Sequence, residues 1–298
     1  MPRTPDPLNR FLLHPLQALA AVLLYGIFRL LPLDAASGFG GWIGRTVGPR
    51  IGVSNRARRN LARAFPEKSS PEIETIVRGM WDNLGRMVAE YPHLGEIDVY
   101  DPNGPVEVIG IEHVEALRDD GRPGLFYSAH MANWELLSLG ATQRGLPLDR
   151  VYREANNRLV EWLYRRGRAA VEGALIPKGP HGVKQLLASL KGGNHLAMLV
   201  DQKMNDGIAV PYFGIDVMTA PALADLAIRF DCPVVAARVE RLAGARFRFI
   251  AEAPITFADT GDRKADVLAA MTLVNARIEE WVRATPEQWL WLHNRFPD

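Results

Sequence analysis

The chain has 298 residues, of which 48% are hydrophobic and 23% are charged, and its net charge is +1. This length and composition are typical of a folded protein with a large core, and they exclude a disordered chain. The near-neutral charge argues against a general nucleic-acid-binding protein. The single cysteine, Cys232, excludes an internal disulfide and a metal site built from cysteines.

The N-terminal region differs from the rest in charge and hydropathy. Residues 1–63 contain nine arginines and two aspartates, a net charge of +7, so the remaining residues carry −6. Residues 11–28 contain no Asp, Glu, Lys or Arg, and this length approaches the roughly 20 residues that cross a bilayer. Arginines beside an apolar segment favour anionic lipid at a cytoplasmic surface. We predict that residues 1–35 form a retained membrane anchor, spanning or interfacial; a cleaved signal peptide and a buried core helix are the alternatives.

Two segments that follow have recognisable patterns. Glycines recur at every fourth position over residues 40–48, which fits either close helix packing or a loop. A helix-start signal at Ser70 and Pro71 precedes apolar residues at helical spacing, which continue as far as Pro92. The second pattern predicts a long amphipathic helix with its apolar side in the core.

Short apolar runs alternate with helical stretches from residue 106 onward. This alternation predicts an α/β fold, a mainly parallel central sheet flanked by helices, in a single domain over residues 36–298. The predicted strands cover residues 106–109, 125–129, 149–152, 196–200, 233–239 and 247–251, and the predicted helices cover residues 133–140, 158–171, 182–191, 221–230 and 264–283. In such sheets the chemistry gathers at the carboxyl ends of the strands.

The most informative motif is a histidine and a glutamate five positions apart, at the end of one predicted strand. His130 lies on the turn after that strand, and Glu135 lies in the first turns of the next helix. Glu135 can then fold back and hydrogen-bond one ring nitrogen, which leaves the other nitrogen to accept a proton from a hydroxyl. The motif predicts transfer of a group to an alcohol, with His130 as the general base. A surface pair, or a core histidine with one hydrogen bond, is the alternative.

Further polar residues follow the other predicted strands. Arg153 and Asn157 come just after one strand, and a guanidinium there could bind a phosphate or carboxylate. Asp201 follows another strand and could order an arginine or position the acceptor, while Lys178 could add a positive contact. Arg168 lies on a basic helix that is otherwise typical of a solvated surface. Asp201 has no evident partner ligands, so no metal is predicted.

Several common enzyme classes lack their motifs in this chain. It has no Gly-x-x-x-x-Gly-Lys phosphate-binding loop and no Gly-x-Ser-x-Gly nucleophile elbow. Kinase, ATPase and serine-hydrolase functions therefore have no support, and we predict no cofactor.

An ordered series of motifs resembles the lipid A biosynthesis acyltransferases, the lauroyl/myristoyl transferase family of Gram-negative bacteria, over nearly the whole chain. The series is Arg59-Asn60-Leu61, Ala64-Phe65-Pro66-Glu67, His130-x4-Glu135, Tyr152-Arg153 with Asn157, Gly167-Arg168, Asp201-Gln202, Val210-Pro211-Tyr212-Phe213-Gly214 and Pro286-Glu287-Gln288-Trp289-Leu290-Trp291-Leu292-His293. Glutamate at position 135 is characteristic of this branch, because the wider glycerolipid acyltransferases carry aspartate there. The chain departs from the family at its last residues, 295–298, where relatives often carry basic residues.

The resemblance implies an enzyme with a glycerolipid-acyltransferase-like fold at the cytoplasmic face of the inner membrane. It would transfer a fatty acyl group from acyl carrier protein to a hydroxyl of a lipid A precursor, a phosphorylated glucosamine disaccharide that already carries acyl chains. His130 and Glu135 would be the catalytic pair, and Arg168 and Asp201 match the other polar site positions of the family.

Three other functions are compatible with the same residues. One is acylation of a phosphatidylinositol mannoside, or another glycolipid, from acyl-CoA. Another is hydrolysis of the thioester, with water as the acceptor. The third belongs to a different class, a non-catalytic membrane protein that binds lipid.

Overall fold

The core of the molecule is a twisted sheet with helices on both faces. The computed structural model describes residues 13–152, 155 and 157–297, apart from the side chains of residues 159 and 180. In this part of the chain the central sheet consists of seven strands, β1 (Val106–Ile109), β2 (Leu125–Ser128), β3 (Leu148–Tyr152), β4 (Leu175–Pro177), β5 (His195–Leu199), β8 (Val234–Ala243) and β9 (Arg246–Ala251). Their order is β1-β9-β8-β2-β5-β3-β4. Neighbouring strands run parallel except for the antiparallel pair β8 and β9, so the predicted mainly parallel sheet is confirmed.

Three strands were not predicted, for local reasons. β4 is only three residues long and lies at the edge of the sheet. A separate antiparallel hairpin is formed by β6 (Lys203–Tyr212) and β7 (Ile215–Thr219). The first half of β6 is polar and exposed, and its second half contains Pro211. This sequence pattern is not typical of a strand.

The helices predicted from residue 133 onward are all present, and a helix over residues 111–119 was not predicted. In chain order, the helices are α1 (His14–Leu30), α2 (Leu33–Val47), α3 (Ser54–Ala64), α4 (Ser70–Glu90), α5 (Ile111–Asp119), α6 (Glu135–Gln143), α7 (Arg158–Gly167), α8 (Pro180–Lys191), α9 (Ala222–Phe230) and α10 (Arg263–Ala284). Alternate side chains of a strand point to opposite faces, and β2 shows this clearly. Leu125 and Tyr127 join the core beneath α8, α9 and α10, whereas Phe126 joins the core beneath α5 and α6.

The recurring glycines belong to a close helix crossing, and not to a loop. Gly40 and Gly44 of α2 face Gly85 of α4. A Cβ atom on Gly40 or Gly85 would collide with the carbonyl oxygen of the other, so only glycine permits this approach. The crossing attaches the N-terminal helices firmly to α4, whose far side contributes Val77 and Met80 to the main core.

The N-terminal segment was predicted to be either a membrane-spanning or an interfacial helix, and its described part does not fit the spanning form. α1 has 17 residues and stops before Pro32, and among the residues that the structure describes no helix combines the length and hydropathy needed to cross a membrane. The prediction of a spanning anchor within residues 1–35 is therefore not supported. α1 instead lies against the protein, where Phe28 is buried and its carbonyl oxygen is 2.8 Å from Nε2 of His93. The interfacial form stays a prediction.

Candidate active site

The turn that carries His130 is held from both sides by distant parts of the chain. The backbone N–H of His130 donates to Oδ2 of Asp201 at 2.9 Å, and its carbonyl oxygen accepts from the N–H of Leu290 at 3.0 Å. The next residue but one, Ala132, has a positive φ of 47° and donates its N–H to the carbonyl oxygen of Gln288 at 2.9 Å. Positive φ is costly for a residue other than glycine, so these bonds keep the turn in one shape.

Asp201 is the hydrogen-bond partner of the imidazole. Its Oδ1 lies 2.8 Å from Nδ1 of His130, and its Oδ2 also accepts from the indole N–H of Trp289 at 2.8 Å. Asp201 is only 1% exposed. Burial opposes ionisation of this carboxyl group, but the charge and hydrogen bonds of His130 outweigh it and hold the pKa of Asp201 well below its usual range. Asp201 is therefore an ionised acceptor that holds the proton of His130 on Nδ1.

Glu135 has a different partner from the one expected. Its carboxylate accepts two hydrogen bonds from Arg168, at 2.7 Å from Nε and 2.5 Å from Nη2, and the hydroxyl of Tyr164 lies 3.4 Å from Oε1. The expected hydrogen bond from His130 to Glu135 thus needs correction. α6 begins at Glu135 itself, and Trp134 takes the place beside the imidazole, with ring centroids 5.0 Å apart.

The pair of Glu135 and Arg168 is buried and fixed. The two side chains are 3% and 13% exposed. Burial would lower the pKa of Arg168, but the Glu135 carboxylate more than compensates and raises it above its ordinary value. Burial also raises the pKa of Tyr164 to about 12, so this hydroxyl stays protonated beside the carboxylate.

Two neighbouring spaces share walls at this site. A polar pocket of about 280 Å³ is lined by His130, Lys178, Gln202 and His293. A smaller cavity of about 80 Å³ lies between α6 and the sheet, with mainly apolar walls that include Leu137, Phe126, Leu148, Ala237 and Phe249. The two spaces share the side chains of Trp134, Val151, Tyr152, Arg168 and Leu199 as walls. A polar head and an apolar chain could therefore bind side by side, with the junction close to His130.

The other predicted site residues divide between this pocket and the rest of the fold. Lys178 lines the pocket, and its Nζ donates to Oε1 of Gln202 at 2.9 Å. Asn157 is buried at the start of α7 and donates to the carbonyl oxygen of His14 at 2.8 Å, which ties α7 to α1. Arg153 lies outside the described residues. Asp201 serves His130 in this geometry and has no exposed surface with which to contact a substrate.

Comparison with known proteins settles the family. The family model of the bacterial lipid A biosynthesis acyltransferases matches residues 9–297. The chain belongs to this family. It is thus an O-acyltransferase, as the resemblance implied.

Three curated relatives illustrate the range of this acyltransferase family, all of them from Escherichia coli K12. The chain is 26% identical over 271 residues to a lipid A biosynthesis palmitoleoyltransferase, covering 84% of this chain and 83% of the relative. It is 26% identical over 248 residues to a lauroyltransferase, covering 80% and 77%. It is 24% identical over 258 residues to a myristoyltransferase, covering 84% and 77%.

Several site residues of this acyltransferase were not singled out from the sequence. The sequence assigns no role to His293, yet its ring lies 4.8 Å from that of His130. Trp289 and Gln202 appeared in the motif series without a role, and both contact the site. The available signal for Gln202 was its position directly after Asp201, at the end of a buried strand. Trp289 and His293 gave no such signal because they come from the far end of the chain.

Proposed function

We propose that this acyltransferase moves a fatty acyl group from an acyl carrier protein thioester to a hydroxyl of a lipid A precursor, with His130 as the general base. The observation that carries the proposal is the 2.8 Å contact between Nδ1 of His130 and Oδ1 of Asp201. Asp201 accepts from Nδ1, so Nε2 carries the lone pair, and His130 lines the polar pocket. A buried, ionised carboxylate that orients one imidazole supports catalysis, because lipid binding alone does not require an oriented imidazole.

The chemistry follows from that lone pair. An alcohol attacks a thioester poorly at neutral pH, because its pKa is far higher. Nε2 of His130 would accept the hydroxyl proton as the new C–O bond forms, and Asp201 would stabilise the resulting imidazolium. The same proton would then pass to the departing sulfur when the C–S bond breaks. General base catalysis of this kind contributes roughly 10²- to 10⁴-fold in rate.

Glu135 is assigned a positioning role in this proposal. It holds Arg168 at the junction between the polar pocket and the apolar cavity, where a bound thioester would have its carbonyl group. The bidentate geometry gives the guanidinium one orientation. Loss of Glu135 would thus disturb the site through Arg168 and would leave the His130–Asp201 pair intact.

The apolar cavity beneath α6 is the proposed place for the donor chain. Its walls come from the sheet and from α6, and it shares Trp134 and Arg168 with the polar pocket that His130 lines. An acyl chain bound there would bury apolar surface at about 25 cal/mol per Å² and place its thioester next to the base. The hydroxyl-bearing acceptor would enter through the polar pocket.

The proposed location is the cytoplasmic face of the inner membrane, with α1 and α2 lying on the lipid surface. These helices expose apolar side chains by half or more, at Leu16, Leu19, Leu23, Leu30, Trp42 and Val47. Exposed apolar side chains in one region with arginines nearby are typical of interfacial helices. A lipid acceptor that stays in the bilayer would then meet the enzyme at high effective concentration.

The test of the function is a transfer assay with the purified protein. It is incubated with acyl carrier protein thioesters of several chain lengths and a tetra-acylated glucosamine disaccharide, and the products are weighed by mass spectrometry. We expect the disaccharide to gain one acyl chain, and His130→Ala to lower the rate at least about 100-fold. His181→Ala, which removes an exposed histidine on α8, is the matched control. Release of free fatty acid at the same rate with and without the disaccharide would identify a hydrolase instead.

A further inference from the structure

Gln202 lies between two imidazole rings in the polar pocket. Its Nε2 is 3.3 Å from Nε2 of His130 and 3.3 Å from Nε2 of His293. Its Oε1 accepts from Nζ of Lys178 at 2.9 Å. One amide group thus connects the base, a second histidine and a lysine.

The direction of each hydrogen bond is fixed by its neighbours. An ammonium group can only donate, so Oε1 of Gln202 must face Lys178 and the NH₂ group must face the rings. The Nε2 atom of His130 accepts, because Asp201 holds the ring proton on Nδ1. Burial lowers the pKa of His293 to about 4, so this ring is neutral near pH 7 and can accept as well. Each N–H of the amide therefore has its own imidazole acceptor.

We propose that Gln202 is a catalytic residue whose amide N–H stabilises the oxyanion formed from the thioester. The acceptor hydroxyl must donate to Nε2 of His130. It thereby displaces the amide N–H of Gln202 from that nitrogen. The displaced N–H stays beside the reacting atoms. As the C–O bond forms, the π electrons of the thioester carbonyl move to its oxygen, and that oxygen becomes the new acceptor of the amide. When the C–S bond breaks, the carbonyl re-forms and the sulfur takes the proton from His130.

Lys178 and His293 are positioning residues in this arrangement. The Lys178 charge on Oε1 draws electron density from the amide and strengthens its N–H groups as donors. His293 accepts the second N–H, which prevents the amide from rotating away when the first is displaced. His293 stays neutral while His130 becomes protonated. The hydrogen bond from Gln202 to His293 is therefore kept throughout the reaction.

This inference rests on the proposed function for its substrate, but binding measurements can test it alone. The probes are two analogues of the acyl donor on acyl carrier protein. A trifluoromethyl ketone, hydrated in water, mimics the tetrahedral intermediate, and a thioether without a carbonyl mimics only the bound chain. The variants are Gln202→Met and the isosteric Gln202→Glu, neither of which has a side-chain N–H to donate. Gln185→Met is the matched control, since Gln185 on α8 also contacts a histidine, His181, at 3.1 Å, but at an exposed site.

We expect both Gln202 variants to bind the ketone roughly 100-fold more weakly than the unaltered protein and to bind the thioether within about twofold. In the transfer assay kcat should fall by a similar factor while the donor KM changes little. His293→Phe should weaken ketone binding in the same direction, and His293→Gln, whose amide oxygen can accept, should restore part of it. Equal losses for ketone and thioether, or no loss for the ketone, would overturn the inference. Failure of the unaltered protein to acylate the disaccharide would count against the proposed function, and the comparison of the two analogues would still decide the role of Gln202.

Discussion

The carboxylate of Asp201 holds His130 twice, at 2.8 Å through Nδ1 of the ring and at 2.9 Å through the backbone N–H. One side chain therefore sets the tautomer of the imidazole that we propose as the base and the position of the turn that carries it. A carboxylate can only accept, which is the property that this arrangement needs.

Replacement of Asp201 by asparagine should abolish most activity without unfolding the protein. An amide can present its NH₂ group to Nδ1, which would leave the proton on Nε2 and remove the base. We expect kcat for acyl transfer to fall by up to roughly 10⁴-fold, the size of the effect when the same substitution sets the wrong histidine tautomer in a serine protease. Asp216→Asn, at an exposed position of β7, should be unaffected. Circular dichroism and thermal melting would verify that the fold is retained, and full activity of Asp201→Asn would refute the assignment.

Glu135 and Arg168 should be strongly coupled in stability. Glu135 is buried and Arg168 is only 13% exposed, so loss of one leaves an unpaired charge largely shielded from water, at a cost of about 3–5 kcal/mol. In a double-mutant cycle of Glu135→Gln and Arg168→Met, the double variant should be about 2 kcal/mol more stable than the sum of the single effects predicts. The exposed pair of Arg277 and Glu280 on α10 is the control, with an expected coupling below about 1 kcal/mol. Urea denaturation supplies the free energies, and additive effects at Glu135 and Arg168 would contradict the buried pair.

His293 should make the free energy of unfolding depend on pH. Its pKa is about 4 in the folded protein and 6.5 as the ordinary value for an unfolded chain. Between these values the unfolded chain binds a proton that the folded protein does not, so the stability from neutral His293 is complete above pH 6.5 and is lost as the pH falls towards 4. The loss should reach roughly 3 kcal/mol.

The measurement is urea denaturation at several pH values from 4.5 to 7.5, with His293→Gln for comparison. The variant should lack this part of the pH dependence. It should keep the part that comes from His195, whose pKa is also lowered by burial. Identical slopes for the two proteins would show that His293 is protonated freely in the folded state.

The exposed leucines of α1 should decide lipid binding. Leu19 and Leu23 are 57% and 58% exposed, so aspartate at both positions should fold normally and bind vesicles of anionic phospholipid at least about tenfold more weakly. Leu273→Asp on α10 is the matched control, because Leu273 is 62% exposed but lies far along the chain from the basic N-terminal region. Co-sedimentation with vesicles measures the affinities. Equal binding by the variant and the unaltered protein would exclude α1 as the lipid-facing helix.

The strands and the placement of polar residues at their ends could be predicted from local patterns. The strands predicted over residues 125–129, 149–152 and 196–200 are present as β2, β3 and β5, and His130 and Asp201 do follow β2 and β5. The pairing of His130 with Asp201 could not be predicted, because it depends on which strands are neighbours. β2 and β5 are adjacent and parallel, with Ser128 opposite Leu199, so two residues further on His130 stands opposite Asp201. A spacing of five residues in the sequence pointed to Glu135 instead.

The N-terminal helix shows a second limit of prediction from the sequence. Its apolar run predicted contact with lipid, but the length of a run does not reveal which of its side chains are used by the protein itself. Ala18 and Phe28 are buried, while their neighbours Leu16, Leu19 and Leu30 are exposed. Only the packing of α1 on the rest of the protein separates these two groups.

The strap formed by residues 286–296 has a consequence for synthesis of the protein. It supplies the carbonyl group of Gln288, the N–H of Leu290 and the indole of Trp289, all of which bind the His130 turn or Asp201. A ribosome makes the His130 turn more than 150 residues before it makes this strap. The growing chain therefore carries its histidine without a finished centre. The hydrogen bonds that hold this turn from the strap can therefore form only after residues 286–296 have been made.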